Sequence, residues 1–152
     1  MRKAIIFMGL IVFVLAYAGC AEKQITKSEG TASTQEQAAS QITTDLKDIN
    51  FDFDKYNIRP EDGKILSGHA AFLLENKKVK IVIEGNCDER GSAEYNLALG
   101  QRRAEEAMKY LLNSGVDKNR IKTISYGKER PLDPAHNEEA WAKNRRDHFV
   151  VN

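Results

Sequence analysis

Val79-Lys80-Ile81-Val82-Ile83-Glu84-Gly85-Asn86-Cys87-Asp88-Glu89-Arg90-Gly91-Ser92-Ala93-Glu94-Tyr95-Asn96-Leu97-Ala98-Leu99-Gly100-Gln101-Arg102-Arg103-Ala104 changes its hydrophobic period once. Val79, Ile81 and Ile83 recur at the two-residue spacing of a half-buried strand, which ends at Glu84-Gly85. From about Ser92 to Asn113 the period is helical. Ser92 suits the N-cap, Glu94 the first turn, and Ser114-Gly115 the C-terminal stop. Leu97, Ala104, Met108 and Leu111 form the stripe expected to face the sheet. Asn96, Leu99 and Arg103 fall on a different face, so Arg103 is expected to project away from the core, about two turns from the helix start.

The flanking segments repeat the alternation. Ile49, Phe51 and Phe53 alternate with Asn50 and Asp52 as a first strand. A helix is expected from near Pro60, with Ile65, His69, Phe72 and Leu73 at helical spacing and Asn76 as its end. Ile121 to Tyr126 reads as a third strand, Asn137 to Lys143 as a short helix, and His148 to Val151 as a last strand. The order βαβαβαβ predicts an α+β two-layer sandwich, a sheet with helices packed on one face, spanning residues 45–152.

The first 44 residues read differently. Met1-Arg2-Lys3 is basic, and Ala4 to Ala18 is an uncharged apolar run, shorter than the ~20 residues of a spanning helix. It ends in Tyr17-Ala18-Gly19-Cys20, which resembles a bacterial lipoprotein signal, with Tyr17 where a branched apolar residue is usual. The resemblance implies cleavage after residue 19 and lipidation of Cys20. Acyl chains there would hold the protein firmly to a membrane. Ala21, rather than Asp, after the cysteine implies the outer membrane. Ordinary secretion with an unmodified Cys20 is the alternative. Residues 21–44 are rich in Gln, Ser, Thr, Glu and Ala, with Ile25 and Ile42 as the larger apolar side chains, so 20–44 is expected to be a flexible linker carrying the lipidated Cys.

Composition removes several function classes. At 152 residues the chain has room for one ordinary domain. Lys plus Arg is 23 against 22 Asp plus Glu, a net charge of +1, which argues against a nucleic-acid partner and against Arg102-Arg103 as a phosphate patch. Two cysteines and three scattered histidines supply neither a disulfide framework nor a zinc site. Asp52 and Asp54 begin like a calcium loop, but Tyr56, Asn57 and Gly63 stand where a ligand, the obligatory glycine and the bidentate Glu belong. No orienting group accompanies Cys87 with His69 or His148, so an enzyme is not expected, nor any metal or cofactor. Cys87 is expected to be a buried small residue.

The chemistry concentrates in Gly85 to Ser92, the loop entering the long helix. Exposed N–H groups there favour an anion. Asp88 and Arg103 flanking this end could hold a zwitterion, the carboxylate taking an ammonium and the guanidinium a carboxylate. From spacing alone, a surface salt bridge worth ~0–1 kcal/mol is the plainer reading.

Residues 85–104 closely resemble the OmpA-like peptidoglycan-binding motif, nearest to the peptidoglycan-associated lipoprotein family of the Tol–Pal system. Ser125-Tyr126-Gly127-Lys128-Glu129-Arg130-Pro131, Trp141-Ala142-Lys143-Asn144-Arg145-Arg146 and Phe51-Asp52-Phe53-Asp54-Lys55-Tyr56-Asn57-Ile58-Arg59 extend the match. The resemblance implies a four-stranded mixed sheet and noncovalent binding of the peptidoglycan stem peptide through meso-diaminopimelate. Asp88 and Arg103 match the residues that grip its free end, Asn96 and Leu99 line the same groove, and Phe53 and Asp54 add contacts from the first loop. Asn86-Cys87 stands where the family commonly has His and a small residue. Asn144, Arg145 and Arg146 match with a structural role, fixing the last strand. Implied partners are TolB and other Tol-system proteins, with the outer membrane held through lipid on Cys20. The implied role is tethering that membrane to the cell wall, supporting envelope integrity and constriction at division. An OmpA-like lipoprotein outside the Tol system, acting chiefly as a protein-interaction module, is the alternative.

Overall fold

A computed structural model describes residues 46–152. The signal, Cys20 and the linker expected in residues 1–44 lie outside the described residues.

Leu46, Ile49 and Phe51 are buried, but only Ile49–Asn50 pair as a strand, β1. Helix α1 (Pro60–Glu75) opens on Pro60, whose fixed φ and missing N–H suit the first turn. Asp62 is buried in that turn, accepting from the Asn50 N–H at 3.0 Å and from Arg59 Nε at 2.5 Å. The helix ends at Asn76, as the sequence indicates. The remaining elements are β2 (Ile81–Asn86), α2 (Ala93–Asn113), β3 (Ile121–Gly127), α3 (Glu138–Asn144) and β4 (Arg146–Val151).

The four strands form one mixed sheet in the order β1-β4-β2-β3. β2 and β3 are parallel and joined through α2, while β4 runs antiparallel to both β1 and β2. Ile81, Ile83, Ile121, Phe149 and Ile49 point inward and meet Leu66 and Leu73 of α1 and Ala104, Ala107 and Leu111 of α2. Lys122, Ile124 and His148 alternate outward and are exposed. This is the expected two-layer sandwich.

Two features of α2 differ from the sequence expectation. Its buried face is Asn96, Leu99, Gly100, Arg103, Ala104, Ala107 and Leu111, whereas Leu97 is 52% exposed and Met108 only partly buried. Close packing of backbones chose the face, not the bulk of the side chains. A Cβ on Gly85 would fall 2.0 Å from the Gly100 carbonyl oxygen, and one on Gly100 would fall 2.4 Å from Ser125 Oγ. The helix therefore seats on β2 through two glycines, and Leu97 is rotated outward. The same rotation carries Arg103 inward: it is fully buried rather than projecting from the core.

The first strand is also shorter than its alternation suggests. Phe51 N–H bonds to the Arg145 carbonyl at 2.9 Å, after which Asp52 to Lys55 turn away. Phe53 is 54% exposed, and Asp54 adopts φ 57°, a left-handed conformation uncommon outside glycine.

Candidate functional site

The N-terminus of α2 is built from capping chemistry. Ser92 Oγ accepts the Tyr95 N–H at 3.1 Å, and Gly91 takes φ 93° to turn the chain into the helix. Lys128 Nζ donates to the Gly91 carbonyl at 2.8 Å, and Cys87 N–H to the Gly127 carbonyl at 2.7 Å, tying this loop to the end of β3. On the other side Glu89 accepts Trp141 Nε1 at 2.7 Å and contacts His136 Nδ1 at 2.6 Å, which draws α3 against the loop.

Between this loop, α2 and the β1–α1 loop lies a cleft of about 180 Å³. All six side chains expected from the sequence line it: Phe53, Asp54, Asp88, Asn96, Leu99 and Arg103. Arg90, Tyr95, Cys87 and Arg145 complete its wall.

Arg103 is the largest fully buried side chain of the domain. Its Nε donates to the Lys55 carbonyl at 2.8 Å, Nη1 to the Asn86 carbonyl at 2.9 Å and Cys87 Sγ at 3.5 Å, and Nη2 to the Asp52 carbonyl at 3.2 Å. The guanidinium lies 4.9 Å from the centre of the Phe51 ring. Those carbonyls belong to the β1–α1 loop and to the end of β2, so one side chain ties the two together. Burial pulls the Arg103 pKa down, but a guanidinium stays charged. Among the described residues no carboxylate is salt-bridged to it.

Asp88 is also buried, at 4% exposure. Oδ1 accepts Arg90 N–H at 3.1 Å and Nε at 3.2 Å, and Oδ2 accepts Arg90 Nη2 at 2.6 Å and Arg145 Nη1 at 3.2 Å. Burial pushes this carboxyl up, but the bonds from Arg90 and Arg145 outweigh it and hold its pKa below the ordinary value. The reading of Asp88 and Arg103 as a surface salt bridge is therefore wrong twice: neither is exposed, and Asp88 pairs with other arginines.

Arg145, read from the sequence as fixing the last strand, does so and more. Its Nε donates to the Phe51 carbonyl at 3.0 Å, while its other nitrogens reach Asp88 and, at 2.8 Å, Glu138. Arg90 has no place among the residues expected from the sequence. It stacks over Phe53 at 3.9 Å and over Trp141 at 4.3 Å, forming the outer wall. Nothing in the periodicity marks Arg90, since it lies in a loop, whereas Arg145 lies inside the matched Asn144-Arg145-Arg146. At the rim Tyr95 Oη donates to Asp54 Oδ1. Asn96 is held by its Nδ2 on the Arg90 carbonyl at 2.8 Å. Cys87 is buried as expected, its Sγ donating to the Asn96 carbonyl at 3.3 Å, and burial pushes its thiol up to about 11.

Three guanidiniums, Arg90, Arg103 and Arg145, and two carboxylates, Asp54 and Asp88, line the cleft, which leaves one positive charge in excess. Such a site takes an anionic group, with apolar contact from Leu99 and Phe53. Among the described residues no cluster of three or more His, Cys, Asp or Glu is placed to hold a metal ion, and no helix is long and apolar enough to cross a membrane.

Known proteins are similar to this chain in sequence and in fold. The OmpA family pattern matches residues 50–145. The peptidoglycan-associated lipoprotein of Pasteurella multocida is 42% identical over 148 residues, covering 96% of this chain and 95% of its own length. That of Mesorhizobium japonicum is 41% identical over 146 residues, covering 91% and 87%. The crystal structure of the peptidoglycan-associated lipoprotein from Burkholderia pseudomallei superposes with a TM-score of 0.68 at 42% identity, over 70% of this chain and 90% of that one. With so much of both chains matched in sequence, and the sheet order and helix packing matched in space, this chain belongs to the OmpA family, among its peptidoglycan-associated lipoproteins.

Proposed function

We propose that the domain binds the diaminopimelate-bearing stem peptide of peptidoglycan, noncovalently, in the cleft at the N-terminus of α2. The observation that carries this reading is Arg103: a fully buried cation at the cleft whose protein partners are three carbonyls and a thiol. A buried charge is stable when paired, and a ligand carboxylate supplies the missing partner in the fork geometry a guanidinium prefers. The ligand's ammonium takes Asp88, in exchange for one of the bonds from Arg90, the more exposed of its two partners. Leu99 and Phe53 contact the methylene chain, and Asn96 and Asp54 border it. No bond is made or broken, and the protein is not an enzyme.

Around this site the family membership suggests the wider role. Residues 1–19 direct export, lipid on Cys20 holds the outer membrane, residues 20–44 span the gap, and the domain from residue 45 grips the cell wall from the periplasm. TolB and other Tol-system proteins are the proposed protein partners, with envelope integrity and outer-membrane constriction at division as the result.

Calorimetric titration of the chain from Ala21 onward with a diaminopimelate stem peptide tests the site. Saturable binding is expected, lost in Asp88→Ala and Arg103→Ala with the fold retained by circular dichroism. A stem peptide carrying lysine lacks the carboxylate assigned to Arg103 and should bind at least ten-fold more weakly, about 1.4 kcal/mol. No binding by the folded wild type, or equal binding of both peptides, would overturn the assignment. An unmodified Cys20 in the mass spectrum of the native protein would remove the lipid anchor, and a failed co-purification with TolB the Tol partnership.

A further inference from the structure

Asp147 is completely buried, and neither of its carboxylate oxygens has a hydrogen-bond partner. It sits in β4 opposite Ile49 of β1 and Gly85 of β2, so it faces the helical layer with them. Gly85 is the residue that Gly100 of α2 rests on, and Arg103 follows Gly100 by one turn on the same buried face. Arg103 also bonds to the Asn86 carbonyl, next to Gly85, and stacks on Phe51, two residues beyond Ile49. The sheet positions on either side of Asp147 are thus adjacent to those Arg103 touches.

The other charged or titratable groups of this region are committed elsewhere. Asp48, ahead of β1, is bonded to Arg146 at 3.2 Å and His148 at 2.7 Å. Arg145 is held by Asp88 and Glu138, and Arg90 by Asp88. Cys87, from the loop after β2, holds its proton because burial pushes it up to about 11. His69 of α1 packs on Phe149, two residues along β4, and burial lowers it to about 4, so it is neutral near pH 7. Arg146 has a buried Nη1 without a partner, but it precedes Asp147 in β4 and so takes the opposite face with Asp48 and His148, which leaves Arg103 as the cation on the helical side.

We infer that Asp147 is the interior counter-charge of Arg103, so that a carboxylate taking Arg103 from the cleft side drives a proton from solvent onto Asp147. This rests on the proposed occupation of the cleft by an anionic ligand. Two negative groups then act on one guanidinium, the ligand by direct contact and Asp147 through its field alone, since no hydrogen bond joins it to Arg103. In the free protein Arg103 opposes the desolvation that favours the neutral acid; burial is the larger influence and raises the carboxyl well above its ordinary value. Once the ligand neutralises Arg103, that opposition is gone and the neutral form is favoured further. Binding then takes up a proton at any pH between the two titration midpoints, and affinity falls by up to ten-fold per pH unit above the lower one. Asp147 acts here as a positioning and charge-setting residue, with no contact to the ligand.

The test is calorimetry of the chain from Ala21 onward with the diaminopimelate peptide, in phosphate and in Tris, from about pH 5 to about pH 9. In the wild type the heats should differ between buffers by a fraction of a proton per ligand bound. Asp147→Asn should bind with a weaker pH dependence and lose that uptake, the ligand's own protons being common to both proteins. Equal uptake in the two proteins, or none in the wild type at any pH, overturns the inference while leaving the site intact. Absence of any binding heat overturns the site and the coupling together. A ligand-independent arm remains if the variant does not fold: the side-chain carboxyl carbon of Asp147, followed by NMR in the free wild type, should titrate above the ordinary Asp range. A carboxyl that stays protonated throughout about pH 5 to about pH 9 carries no charge to set against Arg103 and overturns the inference.

Discussion

Arg90 lies across the Asp88 carboxylate, with Nη2 2.6 Å from Oδ2 and Nε 3.2 Å from Oδ1, and holds it from within a stack of Phe53 and Trp141. With the Arg90 N–H and Arg145 Nη1 added, Asp88 receives four donors, as many as two carboxylate oxygens ordinarily accept. One acid thus organises two arginines from separate parts of the chain, and Arg145 passes the restraint to the Phe51 carbonyl and so to the first loop. The cleft is thus braced by its own side chains, and in the proposed binding mode an ammonium would exchange with a guanidinium rather than meet a bare carboxylate.

Replacing Asp88 by Asn should therefore cost stability as well as binding. Breaking a buried ion pair from one side costs about 3–5 kcal/mol. Because the folded-state pKa of Asp88 lies below its ordinary value, its contribution is present above the unfolded-state pKa of about 3.9 and is lost as pH falls through the folded one. Urea midpoints of the wild type and Asp88→Asn should stand well apart at neutral pH and converge as pH falls through the lowered folded-state value. A gap that does not change with pH would contradict this account.

His69 sets a second, separate pH dependence. Its ring is buried against Phe149, with both nitrogens unpartnered, and titrates at about 4 rather than 6.5. The unfolded chain takes up this proton near pH 6.5, whereas the fold resists it until about pH 4. Stability is therefore full above the unfolded value and declines between the two, by up to about 3 kcal/mol. His69→Leu should flatten the unfolding free energy across that window in urea titrations. An unchanged slope would mean the ring is hydrated in the fold.

Sequence periodicity located the elements because capping residues punctuate them. Ser92, Ser114-Gly115, Pro60 and Asn76 bound α1 and α2 as expected. It misjudged the rotation of α2, because ranking by bulk favours Leu97 over Gly100, and nothing local says that Gly85 awaits a glycine across the layer. Arg103 lines the cleft with the other five expected residues but is buried rather than projecting, since the carbonyls of Asp52, Lys55 and Asn86 that satisfy it come from distant segments. Arg90 carries no periodic signal, and the pairing of Arg145 with Asp88 spans 57 residues. Charge pairing over such separations is a product of the fold.

Cys87 should behave as an inert thiol in the native state. It is 4% exposed, donates to the Asn96 carbonyl, and has a thiol raised to about 11. Little thiolate is then present near neutral pH, and alkylation requires the loop or the domain to open. Labelling by iodoacetamide at about pH 8 should be at least a hundred-fold slower than for the urea-unfolded chain, since the unfolded thiol has an ordinary pKa. A native rate near the unfolded one would place the sulfur in solvent.

Two alanine substitutions at glycine separate packing from propensity. Gly85→Ala places a Cβ 2.0 Å from the Gly100 carbonyl oxygen, and the obstruction is backbone on both sides, so neither can swing away. α2 would have to lift from β2, at a cost of about 3 kcal/mol or more. It would also move Leu99 and Arg103 relative to Asp88, so peptide binding should weaken even in whatever fraction folds. Gly68, in the exposed middle of α1, has nothing within 4 Å of a Cβ and an ordinary helical backbone. Gly68→Ala should then raise stability by about 1 kcal/mol, through helix propensity alone, and leave binding unchanged. Thermal melts and peptide titrations of the two variants side by side decide the matter. A tolerated Gly85→Ala would show that the helix seats on the strand with more freedom than a backbone-to-backbone contact allows.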